Sequence, residues 1–505
     1  MPLDGGSRPD RDNRARRALG VAALVLAIGV IAPPGASART GAQRSQPREP
    51  PNFLLVLVDD QAMNTFKHRF MPHTYRWIVR PGTRLVNGLA APPLCCPDRA
   101  GILTGDYPHN NGVFSNQPGY ASLTRKRNVL PVWLDRAGYR TALTGKFLNN
   151  YSSVRGYAPA PGFDFWFGYD GITRYFDYTM SDQGTPRFYG SDRRDYSTYV
   201  YTQQALRFIR QPSRRPFFLW LAYNAPHASH FHQPHCDGFD PVPPTSAAYL
   251  RVDHMRLPRP PSFDEADVSD KPKAIASLPR IDAPHVAYIA RRYRCTVATM
   301  GAVDRGVDRV MRTLRHRGDL HRTIVVYLSD NGYFFGEHRI QSEKSYPYEP
   351  ALQVPFAVRV PKAYRRRAMR PTTRAVVSEQ DIAPTLLDYA GGVAPCATAS
   401  HCRAIDGRSL RPLLGGGGRW PAHRGVLAEL DYAGIHLHYW AIRTRRYMYA
   451  QYADGERELY DLVNDPFELR NRARARPYRG VETALARRLA ALRRCKGHRG
   501  SRPCE

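Results

Sequence analysis

Continuous apolar runs recur along the first two thirds of the chain and predict buried strands. The clearest runs are residues 52–58, 141–144, 216–222 and 323–328. Segments with helical periodicity lie between them, and the longest extends over about residues 286–314. Strands that are apolar on both faces and alternate with helices are typical of a parallel sheet covered by helices. The sequence therefore predicts an α/β fold in which helices sandwich a large, mostly parallel sheet.

The pattern changes beyond residue 395. A glycine run at residues 415–418 is followed by strand-like segments at 440–442 and 447–452 and by a helical pattern at 481–494. This predicts a smaller C-terminal α+β subdomain. We expect the α/β domain to cover residues 51–395, the C-terminal subdomain with its basic tail to cover residues 396–505, and a linker to cover residues 39–50.

The N-terminus has the layout of a secretory signal. Arg14, Arg16 and Arg17 precede an uncharged stretch at residues 18–34, and small residues at 36–38 then suit cleavage. The alternative is a membrane anchor, but the apolar run is short for a span. Residues 1–38 are thus predicted to be a signal peptide. The protein would then be secreted or held in the cell envelope, with no stable membrane span after processing.

Composition adds a strong positive charge. The 505 residues include 74 Lys and Arg and 44 Asp and Glu, which gives a formal net charge of +30. Hydrophobic residues make up 42% of the chain, and this fraction argues against overall disorder. Such a charge indicates an anionic partner. Nucleic acid, an acidic membrane and a sulfated or phosphorylated substrate all remain open at this point.

Eight cysteines in an exported protein should mostly be paired. Cys396 and Cys402 can close a short loop, and Cys495 and Cys504 can staple the C-terminal tail. Cys236 and Cys295 then remain as a longer-range pair. The adjacent Cys95 and Cys96 are poorly placed to bond each other, so these two are expected to remain outside the disulfides.

Polar oxygen ligands follow two of the predicted strands. Asp59 and Asp60 come directly after the first strand, and Asp330 and Asn331 follow the strand at 323–328. Ligand sites in such sheets lie at the carboxyl ends of strands, and these side chains suit Ca²⁺ or Mg²⁺ rather than zinc. The alternative is that the acids only cap following helices.

A second cluster surrounds Cys95. Pro97 suits the first turn of a helix, which would place Cys95 just outside the helix N-terminus, where free N–H groups favour an anion. Arg99 adds a positive group one turn further on. This electropositive setting predicts a reactive cysteine, and the alternative is a buried structural one.

These residues resemble a known signature. The run from Cys95 to Arg99, followed by Leu103-Thr104-Gly105, resembles that of the type I sulfatases, which have an alkaline-phosphatase-like fold. The resemblance continues in the family's order over about residues 50–470. Further matching positions are Asp59-Asp60, Gly145-Lys146, Ala225-Pro226-His227, Ser329-Asp330-Asn331-Gly332, Lys344, Asp381–Leu387, Asp406–Leu410 and Glu458–Leu462.

The resemblance implies a mechanism. Cys95 would be oxidised to formylglycine by a formylglycine-generating enzyme, and the hydrated aldehyde would attack sulfur and later expel sulfate. The resemblance also implies a role for each matching residue. Ca²⁺ (Mg²⁺ as the lesser candidate) would be held by Asp59, Asp60, Asp330, Asn331 and residue 95; Arg99, Lys146 and Lys344 would stabilise negative charge; and His227 or Lys344 would protonate the departing alcohol.

One subgroup is most similar, the N-acetylglucosamine-6-sulfatases. Many sulfatases have a histidine two residues after the equivalent of Lys146, whereas this chain has Leu148 with Asn149 next to it, as in that subgroup. The resemblance implies a sulfated carbohydrate or other sulfate ester as substrate, with Asn149 a candidate substrate-binding residue. Position 98 departs from the family, because Asp98 stands where a small residue is usual, and this bears on the efficiency of maturation.

Three other functions remain as alternatives. An arylsulfatase, or a phosphate or phosphonate ester hydrolase on the same scaffold, would use a similar site. A non-catalytic binder of acidic polysaccharide would use only the basic surface. No nucleic-acid partner is expected, because the chain has an export signal and lacks a recognisable binding module.

Overall fold

A ten-stranded mixed sheet forms the centre of the fold. The computed structural model describes residues 49–169, 173–229, 235–236, 238, 240–497 and 504; the predicted signal peptide and most of the predicted linker lie outside them. The strands of this sheet are β1 (Asn52–Val58), β2 (Thr83–Leu89), β3 (Arg140–Lys146), β4 (Phe165–Tyr169), β5 (Tyr178–Asp182), β6 (Thr185–Tyr189), β7 (Phe217–Ala222), β8 (Thr323–Ser329), β9 (Phe356–Arg359) and β10 (Thr372–Ser378).

The order of strands is β10-β2-β9-β8-β1-β7-β3-β4-β5-β6. The run from β8 to β4 is parallel throughout, as is the pair of β10 with β2. Strand β9 is antiparallel to both neighbours, and β5 and β6 extend one edge as antiparallel strands. The prediction of a mostly parallel sheet is confirmed, with the antiparallel strands β5 and β6 lying at one edge.

Helices cover both faces of this sheet, and the central strand β1 accordingly has apolar side chains on both of its faces. Leu54 and Val56 belong to one hydrophobic cluster and Phe53 and Leu55 to another, as alternation along a strand requires. The helices are α1 (Pro72–Thr74), α2 (Cys95–Thr104), α3 (Pro108–Asn111), α4 (Leu130–Arg136), α5 (Tyr151–Arg155), α6 (Ser197–Arg210), α7 (Ser246–Leu250), α8 (Lys273–Ala276), α9 (Ala283–His316), α10 (Glu349–Leu352), α11 (Ile382–Tyr389) and α12 (Arg479–Leu492).

Strand register brings four carboxyl ends to one edge of the sheet. Val58 of β1 pairs with Ser329 of β8, while Ala222 of β7 lies opposite both Leu57 and Gly145. The residues that follow these strands therefore meet in one place. They include both polar pairs predicted to bind a metal.

A second, four-stranded antiparallel sheet forms the C-terminal part of the fold. Its strands are β11 (Val426–Tyr432), β12 (Leu437–Arg443), β13 (Tyr447–Tyr452) and β14 (Arg457–Asp461), and α12 packs against β12 and β13. The predicted C-terminal strands and helix are confirmed. The Tyr439 hydroxyl donates a hydrogen bond to the Ser345 carbonyl at 2.7 Å, which connects this sheet to the loop after β8.

The three predicted disulfides are all present. Cys236 pairs with Cys295, Cys396 with Cys402, and Cys495 with Cys504. Cys95 and Cys96 are buried and take part in no disulfide within the described residues. Every helix in the described ranges is too short or too polar to cross a bilayer.

A buried ion pair connects the small sheet to the large one. Arg424, just before β11, donates to both carboxylate oxygens of Asp381 at 2.5 and 2.7 Å, and both side chains are buried. Asp381 also accepts from the Ser378 backbone N–H in a capping box before α11. Removing the guanidinium would leave this carboxylate buried without its cation, which is costly.

We predict that Arg424→Ala lowers the free energy of unfolding by about 3–5 kcal/mol, the usual cost of an unpaired buried charge. Urea unfolding followed by circular dichroism measures the change. Arg419→Ala, which removes the same charge from an exposed position nearby, should change stability by no more than about 0.5 kcal/mol. Equal effects of the two variants would contradict a structural role for the buried pair.

Candidate active site

Carboxylates from two adjacent strands converge at the carboxyl edge of the sheet. Asp59, Asp60 and Asp330 are all buried. The Asp60 backbone N–H donates to Asp330 Oδ1 at 3.3 Å, and Asn331 Nδ2 donates to Asp60 Oδ1 at 2.7 Å. Asp60 has a left-handed backbone conformation (φ 69°), which Asp adopts more readily than most residues. The two predicted polar pairs are therefore in direct contact.

Three cations from separate elements surround these carboxylates. Lys146 Nζ, at the end of β3, lies 2.5 Å from Asp59 Oδ2, and Lys344 Nζ lies 2.5 Å from Asp60 Oδ1. Arg99 Nε donates to Asp330 Oδ2 at 2.7 Å. With all three pairs charged, the cluster of three carboxylates and three cations is neutral. A bound divalent cation would make it positive, which favours an anionic substrate.

Cys95 lies against this cluster. Its Sγ is 3.1 Å from Lys344 Nζ and donates to Asp59 Oδ1 at 3.4 Å. The prediction that Cys95 lies just outside the helix is wrong: α2 begins at Cys95, and the first helical bond runs from the Asp98 N–H to the Leu94 carbonyl. Pro97 fits at the third position because the first N–H groups of a helix have no partner within it.

The thiol of Cys95 is not activated in this setting. Burial, reinforced by the Asp59 carboxylate, raises its pKa to about 12, and the two lysines only partly offset this. The predicted electropositive environment is thus cancelled by the carboxylates. The neighbouring Cys96 is directed into the hydrophobic cluster beneath α2.

The paired charges shift one another's pKa values. Burial works to raise the pKa of Asp59, but Lys146 and the surrounding cations hold it well below its usual range. Burial and the Asp59 charge raise the pKa of Asp330 to about 6. Burial also works against the charged form of Lys146, but Asp59 more than compensates, and its pKa is raised.

The donor set fits a hard divalent cation. Asn331 Oδ1 is buried and has no hydrogen-bond partner among the described residues, although the Nδ2 of the same amide is bound to Asp60. Carboxylate and amide oxygens are the ligands that Ca²⁺ prefers. One ligand atom from each of Asp59, Asp60, Cys95 and His227 lies within 4.8 Å of the other three.

His227 lies at the edge of the cluster. Its Nε2 is 3.8 Å from Asp60 Oδ2, while Nδ1 is 2.7 Å from the Ala228 carbonyl, which favours the tautomer with the proton on Nδ1. Burial lowers the pKa of the imidazole to about 4. About a quarter of the side chain, 26%, stays exposed, whereas Asp60 is buried, so His227 is accessible to a substrate.

Asn149 has no hydrogen bond or ion pair, within the described residues, to the other nine predicted site residues. Its carbonyl accepts from the Tyr120 N–H at 2.9 Å, and its side-chain Oδ1 is buried without a hydrogen-bond partner among the described residues. Leu148 packs in the hydrophobic cluster that contains Cys96. The structure therefore brings nine of the ten predicted site residues together and leaves Asn149 outside their network of contacts.

Sequence reasoning missed two residues that position the site. Asn116 Oδ1 accepts from the Cys96 N–H at 2.9 Å at the start of α2. The Ser329 hydroxyl accepts from the Gln61 N–H at 2.8 Å and so connects the chain after β1 to β8. Asn116 lies in a loop without a motif, and no sequence signal indicates it. Ser329 belongs to the matching motif at 329–332, which marks the position but does not reveal this bond.

His338 and Arg339 are close to the site in sequence but have structural partners. His338 Nδ1 contacts Glu265 Oε2 at 2.6 Å, and its ring stacks on Tyr348. The guanidinium of Arg339 donates to three backbone carbonyls, those of Glu265, Ala266 and Leu278. Both side chains therefore hold the segment at 265–278 in place.

Family profiles match most of the chain. The sulfatase profile matches residues 51–393, and a profile described as N-sulphoglucosamine sulphohydrolase, C-terminal, matches residues 336–495. An arylsulfatase from Volvox carteri is 31% identical over 533 residues, which cover 95% of this chain and 79% of that protein. An N-acetylglucosamine-6-sulfatase from Homo sapiens is 29% identical over 396 residues, covering 76% of this chain and 68% of that protein.

A solved structure shows the same fold. It is described as a complex with its substrate D-glucosamine-2-N,6-O-disulfate; it is 24% identical, has a TM-score of 0.71 and covers 88% of this chain and 97% of its own. The predicted alkaline-phosphatase-like α/β fold is confirmed by this likeness. The chain spans only 49% and 31% of the extracellular sulfatase homologs of Caenorhabditis elegans and Drosophila melanogaster, each 32% identical over 373 residues.

We predict that Ca²⁺ raises the thermal unfolding midpoint and that a chelator reverses the effect. A ligand at 100 times its Kd stabilises the native state by about 2.7 kcal/mol, which is several degrees for a chain of this size. Asp59→Asn should abolish the calcium-dependent shift, measured by calorimetry with and without the metal. The exposed Asp431→Asn should keep it. A wild-type midpoint that does not respond to Ca²⁺ would contradict the metal site.

Proposed function

The chain belongs to the sulfatase family, as its motifs predicted, and we propose from this that it is a sulfuric ester hydrolase acting on a sulfated sugar. The observation that carries the proposal is the position of Cys95. The first cysteine of the signature lies between Lys344 and Asp59, inside a cluster of three carboxylates and three cations. A merely structural cysteine has no need of such neighbours.

Two groups that the family implies would complete this site. Formylglycine at position 95 would supply an oxygen nucleophile for attack on sulfur, and Asp59, Asp60, Asp330 and Asn331 would hold a Ca²⁺ ion that would supply positive charge. We propose that a formylglycine-generating enzyme makes the modification.

Asp98, in the position where the family has a small residue, is fully buried, and neither of its carboxylate oxygens has a hydrogen-bond partner among the described residues.

The cations of the chain would stabilise the transferring sulfuryl group. Lys146 and Lys344 are each held by a carboxylate, so their ammonium groups are already oriented around position 95. Arg99 bridges Asp330 and the Lys146 carbonyl and holds α2 against the strand ends. Charges that are oriented before substrate binds stabilise developing negative charge without reorganisation.

His227 is our choice for protonating the departing alcohol. Its Nδ1 contacts the Ala228 carbonyl, so Nε2 is the nitrogen that faces the site, and the side chain is accessible. Lys344, the other candidate, already donates to Asp60 and contacts Cys95. The negative charge of a bound sulfate ester favours the protonated imidazole beside it.

For the substrate we propose a 6-O-sulfated glucosamine. The support is the N-acetylglucosamine-6-sulfatase relative, together with a fold neighbour that binds a glucosamine 2-N,6-O-disulfate. The buried, unpartnered Oδ1 of Asn149 is a candidate acceptor for a sugar hydroxyl. Arylsulfatase activity is the second candidate, because the relative from Volvox carteri covers 95% of the chain and bears that name.

We also propose that the protein is exported. The relative from Drosophila melanogaster is named an extracellular sulfatase, and three disulfides within this chain suit an oxidising compartment. The predicted signal peptide at residues 1–38 would direct this export.

We predict that mass spectrometry of the tryptic peptide containing Cys95 finds formylglycine in active protein. Cys95→Ala should abolish sulfate release, measured by ion chromatography, while the circular dichroism spectrum stays unchanged. Cys96→Ala provides the matched control, because it removes the adjacent buried thiol and leaves the Cys-x-Pro-x-Arg positions intact. An unmodified thiol in fully active enzyme would refute this mechanism, and activity on aryl sulfate without any on glucosamine 6-sulfate would refute the proposed substrate.

We predict that His227→Ala slows hydrolysis in a way that depends on the leaving group. A sugar alkoxide needs a proton to depart, so kcat for glucosamine 6-sulfate should fall by about 10²–10⁴-fold. An aryl sulfate with an acidic phenol should lose far less. Lys344→Gln should slow both substrates similarly, since Lys344 acts on the sulfuryl charge. Equal losses on both substrates for His227→Ala would assign proton donation elsewhere.

A further inference from the structure

A region of positive charge lines a cavity of about 780 Å³ outside the carboxylate cluster. Two segments form it, residues 123–128 and the disulfide-closed loop at 396–402. Its polar lining includes Arg125, Lys126, Arg127 and His401, and no carboxylate is among its lining residues. We call this cavity the basic groove. Its size is that of a site for an organic ligand.

Hydrogen bonds and a buried ion pair fix the positions of the two segments that form the basic groove. The buried Arg403 donates to the carbonyls of Asn128 and Thr124 and forms an ion pair with Asp106 at 2.6 Å. Asn128 Nδ2 donates to the His401 carbonyl at 3.0 Å, which joins the two segments. These bonds and the Cys396–Cys402 disulfide give the groove a defined shape before any ligand binds.

Two arginines of the groove have unused donors. The Lys126 ammonium is bound to the carbonyls of Ala121 and Leu123 at 2.8 Å each. Arg125 and Arg127 are exposed, and within the described residues neither guanidinium has an ion pair or a side-chain hydrogen bond. Free guanidinium groups match the planar, multidentate geometry of carboxylate and sulfate oxygens.

The groove is close to the candidate active site along the chain. The chain that leads into the groove passes the start of α2, since a Cβ on Gly119 would lie 3.4 Å from the Sγ of Cys96, the residue next to position 95. The chain from Gly119 to Arg125 spans at most about 21 Å even when fully extended. An oligosaccharide of several units can cover that distance.

We propose that the basic groove binds a second anionic group of a polymeric substrate, a sulfate or carboxylate several sugars away from the ester that is cleaved. This rests on the proposed function, because it assumes that the ester belongs to a sulfated polysaccharide. The groove then increases affinity for the polymer without taking part in the reaction. A monosaccharide with a single sulfate has no second anionic group to place in the groove while that ester is at the active site.

Kinetics on two substrates test this proposal. The double variant Arg125→Ala/Arg127→Ala should raise KM for a heparin-type polymer roughly tenfold, the equivalent of about 1.4 kcal/mol. KM and kcat for glucosamine 6-sulfate should stay unchanged. The variant should also elute from immobilised heparin at lower salt, and the slope of log affinity against log salt should become shallower by about one for each arginine replaced.

Arg366→Ala/Arg367→Ala is the matched control, since it removes two exposed arginines from another basic cluster. An equal effect of the control pair would overturn the proposal by assigning the effect to total charge. Unchanged heparin elution and polymer KM in the Arg125/Arg127 variant would also overturn it, as would weaker duplex DNA binding with heparin binding intact. If no sulfate ester is hydrolysed at all, the proposed function fails, whereas heparin elution still reports on the groove separately.

Discussion

Burial of three carboxylates at the ends of two adjacent strands is the constraint on which the candidate site depends. Asp59, Asp60 and Asp330 are removed from water, and a buried charge without a partner costs several kcal/mol. Their partners come from three separate elements: Arg99 from α2, Lys146 from β3 and Lys344 from the loop after β8. None of the three ion pairs is local in sequence. The helix, the strand and the loop must therefore all be in place before the carboxylates can be buried, so assembly of the site is coupled to folding of the large sheet.

Burial and pairing also divide the basic residues of the chain into two groups. Arg403 and Arg424 are buried against Asp106 and Asp381 and contribute to structure. Arg125 and Arg127 are exposed and have no partner among the described residues. Net charge alone does not distinguish these groups, because a paired arginine and a free one count equally in it. Only the free ones are available to an anion from outside.

Much of the fold and of the site was predictable because its determinants are local. A continuous apolar run of seven residues predicts β1, and the polar residues directly after it must lie at the sheet's edge. Short motifs predicted the remaining candidate site residues. The start of α2 was predicted less well: Pro97 is compatible with any of the first helical positions, and the contact of Asn116 with the Cys96 N–H comes from a distant loop.

The sequence by itself determined the order of strands and helices, the three disulfide pairs and the family, since each depends on patterns within a short stretch or on spacing. The tertiary structure decided which charges meet. In it, burial and the Asp59 carboxylate raise the pKa of the Cys95 thiol against the opposing effect of the two lysines, so the thiol is not activated. It also showed that the His338 ring contacts the Glu265 carboxylate and stacks on Tyr348. The physical reason is that electrostatic energies depend on distance and burial in space, and neither can be read from positions along the chain.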